Sequence, residues 1–217
     1  VDAQFDTDLV LIENEIVAPG RLYPGIANYG YAIRPEANNA ATIRNRLLAD
    51  GIELEWAKAP VPRKAVGIVG LSEDLPPGTT IIRQAPGLGK KLAMYAAELG
   101  VDVYPLAAEP QVDTFKLSKP RVALYENWGG NMDAGWTRLI FDDFEFEYTH
   151  LRDARVRAGD LIADFDVIIL PDTTVSSLKN GLRAGSYPEQ YTGGMGDEGF
   201  AALEEFVQAG GTLVTFD

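Results

Sequence analysis

The sequence predicts an α/β fold with a doubly wound, mainly parallel sheet, built as two α/β units. Three observations predict it. Short β-rich runs alternate with segments of helical period, and two helix-to-strand junctions are alike, LLADG before Ile52 and AAELG before Val101. The run FDVIIL at 165–170 is apolar without alternation, which is typical of a parallel strand covered on both faces.

Three strand–helix–strand units follow one another along the chain. Each has a β-rich run, a polar turn, a helical segment and a second strand-like run. Because a strand, a helix and a strand with short connections form a βαβ unit, the pattern predicts parallel strands. The first strands are at 30–34 (GYAIR), 79–83 (TTIIR) and 121–125 (RVALY), and the second strands are at 52–57, 101–106 and 145–151.

Helices are predicted from apolar residues spaced three and four apart, and glycines mark two of their ends. Gly51 and Gly100 suit the position just after a helix. The run GTLVTFD at 211–217 predicts a further central strand. The apolar stripes are Leu92, Tyr95, Ala96 and Leu99, then Met132, Trp136, Leu139 and Ile140, then Phe200, Leu203, Phe206 and Val207.

A joint near 116–120 divides the chain into an N-terminal α/β unit, 1–118, and a second unit, 119–217. Two long loops, 60–78 and 172–196, are of a length that is usually functional or disordered. The chain begins Val-Asp-Ala without a signal-peptide pattern and ends at Asp217 after a strand-like run. We interpret it as an excised fragment or a processed chain, truncated at its C-terminus.

The charge and the rarest residue types restrict the possible functions. There are 19 Lys and Arg against 32 Asp and Glu, a net charge of −13, which disfavours nucleic acids and anionic membranes as partners. The chain has no Cys and one His. Disulfides, a thiol nucleophile, cysteine zinc sites and any site that needs two histidines are therefore excluded.

Two glycine motifs and the histidine are interpreted as structural. The segment 194–199 (GMGDEG) fits G-x-G-x-x-G, but it follows a loop and places Asp197 and Glu198 where a phosphate would lie, so we predict a helix start. The segment 87–91 (GLGKK) lacks the remaining P-loop residues, so it too predicts a helix start. His150, at a strand end, is interpreted as an ordinary hydrogen-bonded residue.

A candidate binding site lies where the strands of the second unit end. In an open α/β sheet, ligands bind beyond the carboxyl ends of the strands. The residues expected there are Glu126, Trp128, Asp172, Tyr191 and Asp217, with Tyr187 nearby. Converging carboxylates can bind a cation or raise one another's pKa, but these can equally be solvated strand-end residues. No catalytic or metal-ligating residue is assigned.

Five blocks of the second half stand out by their order and spacing: RVALYENWGGNMDAGWTR (121–138), DARVRAGDL (153–161), FDVIILPD (165–172), PEQYTGGMGDEG (188–199) and LEEFVQAGGTLVTFD (203–217). Through these blocks the second half resembles the glutamine amidotransferase-like domain that is fused C-terminally to certain zinc carboxypeptidase-family proteins. The first half is similar, more loosely, to the segment that precedes that domain, through YAIRPEANNAATIRNRLLADGIELEWA and GTTIIRQAPG.

The resemblance implies a flavodoxin-like, three-layer domain of the class I glutamine amidotransferase type. The nucleophilic Cys of active members would follow GTLVTF, where this chain has Asp217, so amidotransferase chemistry is not expected. Zinc is expected only in an upstream peptidase domain, and the parent is expected to be a metallocarboxypeptidase. This chain is expected to be a non-catalytic pseudoenzyme domain that packs on that domain or presents substrate to it. The alternative is a small-molecule or cation-binding module. The resemblance also points to a periplasmic or secreted protein.

Overall fold

The computed structural model describes residues 11–13, 16 and 18–216. Its contacts divide the chain into two compact units, one formed by residues up to Ile43 with Ile52–Leu117, the other by Arg44–Gly51 with Ser118–Asp217. Asp217 itself lies outside the described residues. Within the described part, the helices are too short or too polar to cross a bilayer.

The first unit contains a five-stranded sheet in the order β4-β1-β3-β2-β5. Every neighbouring pair in it is antiparallel. Its elements are β1 (Gly30–Ile33), α1 (Ala40–Ala49, which extends into the second unit), β2 (Leu54–Ala57), a 3₁₀ turn (Arg63–Ala65), β3 (Thr80–Arg83), α2 (Leu88–Leu99), β4 (Val103–Leu106) and β5 (Thr114–Leu117).

The prediction of parallel pairing is wrong for this unit. β1 and β2 run in the same direction, as the βαβ pattern requires, and so do β3 and β4. However, β3 lies between β1 and β2, and β1 lies between β3 and β4. Two split βαβ units are thus interleaved, so each strand pairs with an oppositely directed strand of the other unit. A βαβ sequence pattern fixes the relative direction of its two strands, but it does not show whether another strand lies between them in the sheet.

The loop 60–78 is part of the first unit's core. Val61, Val66 and Leu75 are buried, and they pack with Ala32 and Ile81 on one face of the sheet. Val61 and Leu75 also exchange two backbone hydrogen bonds of 2.8 and 3.0 Å. The loop is therefore long because it covers one face of the sheet.

The second unit contains a four-stranded sheet in the order β7-β6-β8-β9. All three pairs are parallel, which confirms the predicted parallel sheet for this half of the chain. Its elements are β6 (Val122–Tyr125), α3 (Met132–Asp143), β7 (Tyr148–Leu151), α4 (Asp153–Arg157), α5 (Leu161–Asp164), β8 (Val167–Leu170), α6 (Val175–Asn180), a 3₁₀ turn (Glu189–Tyr191), α7 (Gly196–Gln208) and β9 (Thr212–Thr215).

Helices cover both faces of this parallel sheet. On one face, Ala123 of β6 and Ile168 of β8 pack with buried residues of α4, α5, α6 and α7, among them Leu203. On the other face, Leu124 and Ile169 pack against Phe141 of α3. Side chains alternate across a strand, so consecutive residues of β6 and β8 serve opposite layers.

The helix predicted from the 132–140 stripe is confirmed, whereas the prediction of a central strand at 211–217 is wrong. The apolar stripe of α3 is largely exposed, with Trp136 59% and Ile140 52% accessible. The strand at 212–215 is at the edge of the sheet, although a central strand was predicted. Periodicity identifies an apolar face or strand, but whether another element covers it depends on the arrangement of the whole sheet.

The predicted helix ends are confirmed where glycines mark them. Gly51 and Gly100 adopt φ of 74° and 67°, the left-handed conformation that favours glycine after a helix. α2 begins at Leu88 and α7 begins at Gly196, so both glycine motifs are helix starts. Asp197 and Glu198 lie in the first turn of α7, where the helix dipole favours acidic side chains.

Candidate functional site

The candidate site lies at the point where the winding of the parallel sheet reverses. β6 is followed by α3 on one face, whereas its neighbour β8 is followed by α6 and α7 on the other face. The chain therefore leaves β6 and β8 toward opposite faces of the sheet, and the carboxyl ends of such neighbouring strands are the usual ligand position in open α/β sheets. We call the loops 126–131 and 171–174, with the side chains that contact them, the rim.

Asn131 joins the two loops of the rim. Its side-chain amide donates a hydrogen bond of 2.6 Å to the backbone carbonyl of Asp172. Its side-chain oxygen accepts a hydrogen bond of 2.9 Å from the backbone N–H of Ala134, so Asn131 is also the N-cap of α3. One asparagine thus ends a loop, starts a helix and joins the two loops of the rim. The side chain of Asp172 is exposed beside it.

Trp128 is the aromatic residue of the rim and is 40% exposed. The Arg152 guanidinium lies 4.4 Å from the centre of its ring, within the range of a cation–π contact. The ring of Tyr191 meets it edge to face, with centroids 4.8 Å apart. Two predicted site residues from distant parts of the sequence are thus in contact, and Arg152 is the support that the sequence did not indicate.

Glu126 is surrounded by basic side chains. Its side chain is only 13% exposed, and its Oε2 accepts a 3.0 Å hydrogen bond from Arg152. The same oxygen lies 3.4 Å from an Arg138 nitrogen and 3.6 Å from Nδ1 of His150. Arg152 also donates to the backbone carbonyls of Glu126 and Asn127, at 2.9 and 3.0 Å. The carboxylate is therefore engaged inside a basic cluster.

These basic residues reach the rim because β7 is parallel to β6 and adjacent to it. His150 is paired in register with Leu124, and Arg152 directly follows β7, so both lie at the carboxyl end of the sheet. The available signal in the sequence was the position of the run THLR at the end of a predicted strand. Arg138 comes from α3, and only the packing of that helix brings it near Glu126.

A buried pair lies behind the rim. The hydroxyl of Tyr125 donates a hydrogen bond of 2.7 Å to Oδ1 of Asp153, which is 2% exposed. Burial raises the pKa of Asp153, and the Tyr125 hydrogen bond opposes this shift. Burial also raises the pKa of the Tyr125 hydroxyl, and Asp153 adds to that shift. Oδ2 of Asp153 accepts no hydrogen bond from any described residue.

Arg157 connects this region to the glycine turn at 193–194. Its guanidinium donates to the backbone carbonyl of Gly194, and the N–H of Gly193 donates to the carbonyl of Leu182 at 2.8 Å. These bonds hold the end of the 172–196 loop, from which Tyr191 reaches Trp128. The loop is thereby attached to the site.

The predicted site residues thus have different positions in the structure. Glu126, Trp128 and Tyr191 belong to one contact network through Arg152, and Asp172 joins the rim through its backbone carbonyl. Asp217 and any contribution from it lie outside the described residues. In the described part of the chain, no three His, Asp or Glu side chains are close enough to hold a metal ion.

Comparisons with known proteins give no match: no family model, no curated protein and no solved structure is similar to this chain.

Proposed function

We propose that this chain is a non-catalytic accessory region whose second unit binds a carboxylate-bearing small molecule, or the carboxyl end of a peptide, at the rim. The observation that carries the proposal is the surplus of basic groups around Glu126. One carboxylate faces Arg138, Arg152 and His150 through a single oxygen. Two arginines share one carboxylate here, and in a chain of net charge −13 this local excess of guanidinium groups favours an anionic ligand.

Arg138 is the residue best suited to contact such a ligand. It makes one long contact to Glu126, at 3.4 Å, and its side chain is 40% exposed. A guanidinium has five N–H donors, and among the described residues Arg138 gives one of them to Glu126, which leaves donors for a ligand carboxylate. Arg152, in contrast, is engaged by Glu126, by two backbone carbonyls and by Trp128.

Trp128 and Tyr191 supply the apolar part of the proposed site. Their edge-to-face contact fixes the indole, while part of the ring is open to solvent. Binding sites generally combine an aromatic surface with a few placed polar groups. The arrangement suits a ligand that carries an apolar group beside its carboxylate, such as an amino acid or the last residue of a peptide.

A pair of small probes tests the proposal. N-acetylphenylalanine carries a carboxylate where its amide is neutral, and binding of each can be followed by Trp128 fluorescence in a background where Trp56 and Trp136 are Phe. We expect the acid to bind roughly tenfold tighter than the amide, because a hydrogen bond to a charged group is worth about 1.5–3 kcal/mol. In Arg138→Gln, the affinity for the acid should fall to the affinity for the amide.

The control is Arg155→Gln, since Arg155 pairs with Asp164 and its side chain, among the described residues, does not contact the rim. Equal binding of acid and amide, or equal loss in both variants, would contradict the carboxylate proposal. A thermal shift with Ca²⁺ or Mg²⁺ that Asp172→Ala removes would favour the cation-binding alternative.

The proposed partner is a zinc carboxypeptidase-like domain of the same protein, on which this region packs or to which it presents substrate. Support for it is the resemblance of the 121–217 segment, together with the parallel sheet of the second unit, which suits a flavodoxin-like domain of the amidotransferase type. The coding sequence adjoining that of Val1 tests it: the partner would carry His-x-x-Glu and a later His as zinc ligands. An adjoining sequence without them would contradict this part of the proposal.

A further inference from the structure

The first turn of α2 has backbone donors without acceptors. Its N-cap residue is Gly87, which offers no side-chain acceptor. Within the described part of the chain, the N–H of Leu88 donates to the carbonyl of Ala85 at 3.1 Å, whereas the N–H groups of Gly89 and Lys90 have no acceptor. These two groups lie at the positive end of the dipole of a 12-residue helix, where an anion is stabilised.

A buried hydroxyl group lies beside these N–H groups. Tyr31 of β1 is 6% exposed, and its hydroxyl lies so near Gly89 that a Cβ at that residue would overlap with it. The hydroxyl forms no hydrogen bond with any described residue. A buried tyrosine hydroxyl usually has a hydrogen-bond partner, because burying it without one costs free energy. The Tyr31 hydroxyl is therefore a third free donor at the start of α2.

Lys90 adds a positive charge at the same helix end. α2 has no acidic residue in its first turn, which instead contains Lys90 and Lys91. Lysines at this position oppose the helix dipole, so they do not stabilise the helix. Arg83, which precedes the helix, pairs with Glu55 and Glu109 at 3.6 Å each. Lys90, in contrast, is exposed and forms no ion pair with a described residue, so its ammonium group remains for a ligand.

We propose that the N-terminus of α2 binds a phosphate group, either free phosphate or the phosphate of a small monoester. The N–H groups of Gly89 and Lys90 and the Tyr31 hydroxyl would donate to its oxygens, and the Lys90 ammonium would balance part of its charge. Because Gly89 has no Cβ, the hydroxyl and the phosphate can both come close to its backbone.

The sequence around the site limits the size of the ligand. The segment 87–91 lacks the remaining residues of a P-loop, so the site suits a single phosphate group and not a nucleoside triphosphate. All of the residues that would contact the phosphate belong to the first unit. The inference is therefore independent of the ligand proposed for the rim of the second unit.

Phosphate titrations of the isotope-labelled, full 217-residue chain, followed by amide NMR, test the proposal. The probes are inorganic phosphate and phenyl phosphate at about pH 7.5, where both are mainly dianions, with sodium chloride keeping the ionic strength constant. We expect the amide signals of Gly89 and Lys90 to shift and saturate. Equal affinity for the two probes would identify free phosphate as the ligand, and tighter binding of phenyl phosphate would identify a monoester. Absence of a saturable shift at these two amides with both probes would overturn the proposal.

Three variants locate the binding. Tyr31→Phe removes only a hydroxyl that no described residue uses, so the fold should persist while the affinity falls roughly tenfold. Lys90→Gln should weaken binding roughly threefold. Lys58→Gln is the matched control and should leave the affinity unchanged. Lys58 is exposed and follows β2, which is antiparallel to β3, so it lies at the opposite end of the sheet from the start of α2. Unchanged affinity in Tyr31→Phe, or an equal loss in Lys90→Gln and Lys58→Gln, would overturn the proposal.

Discussion

Arg152 is predicted to be the residue that holds the rim together, and Arg152→Met tests this by removing its charge while keeping an apolar stem. The change removes the hydrogen bond to the Glu126 carboxylate, two hydrogen bonds to backbone carbonyls and the contact with the Trp128 ring. It leaves Glu126, only 13% exposed, with the longer contacts to Arg138 and His150.

The expected loss of stability follows from these contacts. The charged hydrogen bond contributes about 1.5–3 kcal/mol and the two to neutral carbonyls about 0.5–1.5 kcal/mol each. The Trp128 contact adds about 0.5–1 kcal/mol. Because the Arg152 side chain is 30% exposed, water replaces part of these lost interactions. We therefore expect the free energy of unfolding to fall by about 2–4 kcal/mol.

Urea unfolding, followed by Trp128 fluorescence in a background where Trp56 and Trp136 are Phe, measures the effect. Arg138→Met is the matched control, because Arg138 reaches the same Glu126 oxygen but makes one 3.4 Å contact. It should cost less than about 1 kcal/mol. Equal losses in the two variants, or a loss below about 0.5 kcal/mol for Arg152→Met, would show that Arg152 does not hold the rim together.

Three further predictions concern the buried acid, the core and a glycine turn. Asp153→Asn should stabilise the chain at neutral pH and leave its stability unchanged below about pH 4. Burial raises the pKa of Asp153 in the folded state, so ionisation of this carboxyl destabilises the fold as the pH rises through that pKa. Leu203→Ala should cost about 2–5 kcal/mol because Leu203 is buried, whereas Leu139→Ala, on the exposed face of α3, should change stability by less than about 0.5 kcal/mol. Gly181→Ala should destabilise the 172–196 loop far more than Gly185→Ala, since both have positive φ but only at Gly181 would a Cβ meet a backbone oxygen, at 1.8 Å.

Each of these has its own measurement. Chemical denaturation between pH 3 and 8 measures the Asp153→Asn effect, with the exposed Asp143→Asn as control; a pH-independent difference would contradict the burial argument. Denaturation at one pH compares the two leucine variants, and similar losses would mean that α3 is covered. Proteolysis of the 172–196 loop compares the two glycine variants, and equal cleavage would exclude the steric explanation.

Parts of the candidate site could be predicted because they follow from strand ends. Trp128 and Asp172 lie in the loops that follow β6 and β8, and the carboxyl ends of parallel neighbours meet at one edge. The charge of the site could not be predicted in this way. Arg138 lies on a helix and Arg152 after another strand, and both converge on Glu126 only when α3 and β7 are in place.

The alternation of helices and strands, the direction of each strand within a βαβ unit and the glycine-marked ends of α1 and α2 could be inferred from the sequence. These features depend on local spacing and backbone conformation. The antiparallel pairing of the first sheet, the edge position of β9 and the exposure of the α3 stripe emerged only with the full fold. Local periodicity indicates which residues prefer burial. The order of strands in a sheet, and whether another element covers a given face, depend on contacts between segments far apart in the chain.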